Sequence, residues 1–110
     1  MVRINGERIS HILRPLRHLA RRRAVPVTLY SKADCPLCEM AERSVMAVFG
    51  QESVTRIDIV GDRALEDAFI FRIPVLAVDD VVLAEGLISV DDARRARDEA
   101  ARLQRERRYV

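Results

Sequence analysis

Two cysteines three positions apart, Cys35 and Cys38 with Pro36 and Leu37 between them, constrain this 110-residue chain more than any other feature. They stand where a β-branched and aromatic run, residues 25–30, gives way to a run of helical periodicity, residues 36–49. Proline at the first helical position sacrifices no hydrogen bond, because that N–H has no intrahelical partner. Cys35 is therefore placed at the N-cap. Its sulfur faces the free amides of Leu37 and Cys38 and the positive end of the helix dipole. Both favour a thiolate, so the thiol pKa should be lowered. Cys38 lies one turn on, at the inward face, within reach of a disulfide. The pattern reads as a dithiol in which Cys35 attacks a disulfide and Cys38 resolves the product. Lys32, the single lysine, adds positive charge nearby, and Asp34 opposes it. The residues alone leave two other roles open: ordinary buried thiols, or two ligands of a metal site completed elsewhere.

The rest of the chain supplies a sheet for this junction. Cys38, Ala41, Val45 and Val48 recur on one helical face, and Gly50 suits the helix end. Residues 54–60 alternate as a second strand. Residues 64–71 form a short helix turning Leu65, Ala68 and Phe69 inward. Residues 74–78 open on Pro74 as a third strand, which Asp79-Asp80 turns into a partner over 81–84. Ser89 to Asp92 matches a capping box, and the helix it opens runs to about residue 105 with Ala93, Ala96, Ala100 and Leu103 on one face. The order is β-α-β-α-β-β-α, an α/β fold with a four-stranded mixed sheet. Two crossovers imply three parallel strands, and the hairpin adds one antiparallel edge.

Composition bounds the class. With 49% hydrophobic and 33% charged residues the chain has the material for one core. No apolar run reaches the length of a membrane span, no secretory signal is visible, and two cysteines are too few for a secreted disulfide scaffold. The expected location is cytoplasmic. Residues 1–24 carry seven Arg and one Glu, whereas the remainder is mildly acidic, so the chain divides into a basic extension, 1–24, and a domain, 25–110. Ile9, Ile12, Leu13, Leu16 and Leu19 give the extension an amphipathic pattern that Pro15 interrupts. It packs on the domain, stays disordered, or docks to a membrane or an acidic partner. No nucleic-acid partner is expected. His11 and His18 are too isolated to serve as metal ligands, and no metal site is expected.

The residues Val27 to Lys32, Cys35 to Cys38 and Arg72 to Leu76 resemble the glutaredoxin branch of the thioredoxin-fold family. Within it, the spacing of Leu65, Phe69, Ile73, Pro74, Val75 and Leu76 is most similar to a small glutaredoxin-like subfamily. The resemblance covers about residues 26–104. It implies a thioredoxin-like fold with helices on both faces and a cis peptide bond at Ile73–Pro74 packed against the cysteines. It also implies that the backbone of Ile73 pairs with the bound thiol substrate. From the residues alone, Pro74 reads equally as a strand-start proline. Two departures stand out. Leu37 occupies the place where glutathione-dependent members carry an aromatic residue. Their Gly-Gly turn is reduced to Gly86, with Asp91 and Asp92 displaced into the helix cap. Lys32 and Arg72 remain as cations for the carboxylates of a thiol substrate, although Arg72 also fits a solvated surface position.

The expected activity is thiol–disulfide oxidoreduction by Cys35 and Cys38, with Lys32, Leu37, Arg72, Ile73 and Pro74 binding the thiol substrate. The expected partners are a disulfide-containing protein and a thiol reductant or reductase. No tightly bound cofactor is expected, and glutathione or another low-molecular-weight thiol is the expected co-substrate. The competing readings are an iron–sulfur cluster carrier using Cys35 from two chains, an interaction module recruiting partners through residues 1–24, and an arsenate-reductase-like enzyme.

Overall fold

The computed structural model describes residues 24–108. The 1–24 extension, apart from Ala24, lies outside the described residues. β1 (Val27–Ser31) turns Val27 and Leu29 into the core and Tyr30 to the opposite face. α1 (Pro36–Phe49) buries Cys38, Ala41 and Val45, as the apolar spacing predicts, and Gly50 ends it at φ 86°. A short 3-10 turn (Gln51–Ser53) leads into β2 (Val54–Asp58). α2 (Arg63–Phe69) is capped by Asp62, whose Oδ1 accepts the Leu65 amide at 3.1 Å. β3 (Val75–Val78) and β4 (Val81–Glu85) form the hairpin, with Asp79 in the left-handed region at φ 53°. α3 (Val90–Arg108) closes the chain.

The strands lie in the order β2-β1-β3-β4. β1 and β2 are parallel, β3 is antiparallel to β1, and β4 is antiparallel to β3. The expectation of three parallel strands is therefore corrected to two. The reason is the reach of α2. Its seven residues advance about 10 Å, against about 16 Å for the five residues of β1. The amides of Arg72 and Ile73 both donate to the Phe69 carbonyl, turning the chain back beside the end it came from. β3 thus starts opposite Tyr30, next to the last residues of β1. Ala68, expected inward, is exposed.

α1 and α3 pack together over one face of the sheet. Leu29, Ala41, Val45, Leu76, Ile88, Ala93 and Ala100 are the fully or almost fully buried centre of that layer. Small residues at Ala93, Ala96 and Ala100 let α3 approach closely. On the other face, the Phe69 ring of α2 lies 4.8 Å from that of Tyr30. The far end of α3 reaches the β3–β4 hairpin, where Arg107 pairs with Asp79. The capping box forms as expected: Ser89 Oγ accepts the Asp92 amide at 3.0 Å, and the Asp92 carboxylate accepts the Ser89 amide at 2.9 Å.

Candidate active site

Cys35 adopts an extended conformation (φ −127°, ψ 100°) at the N-cap of α1, directly after Asp34 in the left-handed region at φ 56°. Aspartate tolerates that geometry better than most side chains. Pro36 opens the helix and has no amide to offer, and the amide of Cys38 donates to Cys35 Sγ at 3.3 Å. The two sulfurs stand at disulfide distance, with Cα atoms 5.2 Å apart. Cys35 is half-buried, whereas Cys38 is 4% exposed. One sulfur can therefore be reached from solvent and the other only through the first.

Sheet register brings the remaining candidates to this same end. Lys32 follows the last residue of β1 and is half-buried. Leu37 sits in the first turn of α1, 41% exposed. The Ile73–Pro74 peptide is cis, as the family resemblance implied, and Pro74 is fully buried just ahead of Val75, the partner of Tyr30. Its carbonyl accepts the Gly86 amide at 2.8 Å. Arg72 belongs to the same segment, but its guanidinium is already engaged. Nε donates to Glu85 Oε1 at 2.9 Å, a second guanidinium nitrogen lies 2.6 Å from that oxygen, and the Phe69 ring centroid is 5.6 Å away.

Glu85 was missed by sequence reasoning. Its placement depends on an irregularity in the hairpin. Leu76 pairs with Ala84 but Ala77 with Val82, so Leu83 is an extra residue in β4. That bulge sets Glu85 opposite Val75, on the sheet face that carries Tyr30 and Phe69. A hairpin without the bulge would put Glu85 on the other face. The only signal available in the sequence is a pair of opposite charges thirteen residues apart, Arg72 and Glu85.

A Cys-x-x-Cys pair capping the first helix of a β2-β1-β3-β4 sheet, with a cis-proline before β3, defines a thioredoxin-like fold. The chain belongs to the glutaredoxin-like domain family (DUF836), whose family model matches residues 26–104. It is similar to a Northeast Structural Genomics target protein from X. campestris, solved by X-ray diffraction. The two are 29% identical with a TM-score of 0.58, over 66% of this chain and 96% of that one. No curated protein matches the chain. Family membership and a cysteine pair at disulfide distance fit a redox function. Among the described residues, no helix is long and apolar enough to cross a membrane.

Proposed function

We propose that this chain is a thiol–disulfide oxidoreductase. The observation that carries the reading is the Cys38 amide donating to Cys35 Sγ at the N-terminus of α1, with Cys38 buried directly behind. When the pair is reduced, the same N–H and the aligned peptide dipoles stabilise a Cys35 thiolate. That thiolate attacks one sulfur of a substrate disulfide, forming a mixed disulfide and releasing one thiolate. Cys38 then attacks Cys35 Sγ, breaks the mixed disulfide and releases the second thiol. Two electrons pass from the dithiol to the substrate, the protons leave with the released thiols, and Cys35–Cys38 is left oxidised. A low-molecular-weight thiol or a dithiol reductase resets it. In this reading Lys32, which follows β1, and Ile73, which precedes the cis-proline, contact the substrate, and Leu37 in the first turn of α1 offers it an exposed apolar side chain.

The test uses full-length protein, reduced and freed of reductant, mixed with hydroxyethyl disulfide. Native protein should be oxidised stoichiometrically. Cys38→Ser should accumulate a one-to-one mixed disulfide visible by intact mass. Cys35→Ser should form none at a comparable rate. Full activity in Cys35→Ser would remove the mechanism.

A further inference from the structure

We infer that Glu85 sets the substrate class of this dithiol: by holding Arg72 it withholds the cation that would receive a substrate carboxylate, so neutral and cationic disulfides react in preference to anionic ones. This rests on the oxidoreductase reading above.

Arg72 lies in the segment that returns the chain to the sheet beside β1, at the end from which Cys35 projects. A free guanidinium there would be suited to bind a carboxylate in a forked geometry. Instead its nitrogens face Glu85 Oε1 at 2.9 and 2.6 Å, and its central carbon lies over the Phe69 ring, 5.6 Å from the centroid. Phe69 is in turn held against Tyr30 of β1. A substrate carboxylate meets a guanidinium whose charge Glu85 already offsets and whose Nε edge it occupies, on the face that the β4 bulge gives to Glu85. The neighbouring segments hold no excess of positive charge. Besides Arg72 they carry Lys32 and Arg63 as cations, set against Asp34, Asp58 and Asp62. Oxidised glutathione has more carboxylates than ammonium groups and meets an Arg72 that Glu85 already offsets, which leaves Lys32 to face them. Hydroxyethyl disulfide is indifferent to this arrangement, and cystamine, a dication, is favoured by it.

The experiment measures the rate at which pre-reduced full-length protein is oxidised by oxidised glutathione, hydroxyethyl disulfide and cystamine at low ionic strength. Each rate is divided by that for hydroxyethyl disulfide in the same variant, which cancels general effects on the dithiol. Glu85→Gln should raise the glutathione ratio about two- to fivefold, the range expected for one solvent-exposed ion pair. It should lower the cystamine ratio, and salt should shrink both changes. The double variant Glu85→Gln, Arg72→Gln should lose the glutathione gain. An unchanged ratio in Glu85→Gln, or a gain that survives without Arg72, overturns the role of Glu85 while leaving the oxidoreductase reading intact. Failure of native protein to react with any of the three disulfides overturns both.

Discussion

Cys35 differs from an ordinary surface thiol in one respect that can be measured directly. Its sulfur accepts a backbone amide that belongs to the helix, and that amide is still present when the disulfide opens. A Cys38→Ser variant isolates Cys35 and keeps the amide. Its rate of alkylation against pH should have a midpoint below the value of about 8.5 for a free cysteine. A midpoint at or above that value would show that Asp34 outweighs the helix terminus. This part of the site was legible in the sequence because it is local: an N-cap, a proline and a residue one turn later need no knowledge of the fold. Glu85 was not legible, because its side of the sheet depends on Leu83, and a hydrophobic pattern does not announce a bulge.

Among the elements, α3 is the one whose start is most fully determined by side chains. Ser89 and Asp92 satisfy each other's amides, so Ser89→Ala should cost about 1 kcal/mol in urea denaturation. Asp92 also makes α3 sensitive to acid. The Ser89 amide and then the Ser89 hydroxyl hold its carboxyl below the usual carboxylate range, with partial desolvation opposing and Arg95 helping. A group whose folded pKa is depressed stabilises the fold above its unfolded value and loses that contribution as pH falls through the folded one. Native protein should therefore lose stability as the pH drops below about 4, and Asp92→Asn should flatten that part of the profile. The same capping chemistry was readable in advance. The direction of β3 was not: counting crossovers treats α2 as a full-length return. A seven-residue helix followed by the turn at Phe69 brings the chain back to the end it left.

At the scale of the whole molecule, one layer between the sheet and the α1–α3 pair carries the fold. Leu29 and Leu76, register partners on adjacent strands, are both fully buried within it. Leu76→Ala should cost about 2–5 kcal/mol. That is a large share of the roughly 5–15 kcal/mol that holds such a domain together. Calorimetry should show a lower, broader transition, with Cys35 reactivity losing its helix-dependent character as the domain opens.

β1 runs toward the cysteine pair, and α3 runs away from it to the hairpin at the opposite pole, where Arg107 meets Asp79. Residue 24 and residue 108 consequently emerge on the same side, with the dithiol facing the other way. The described domain therefore carries both of its ends at one pole and its sulfur atoms at the other. A protein fused at residue 24 or at residue 108 would join the domain at the pole away from the dithiol, and it should leave the rate of Cys35 oxidation unchanged.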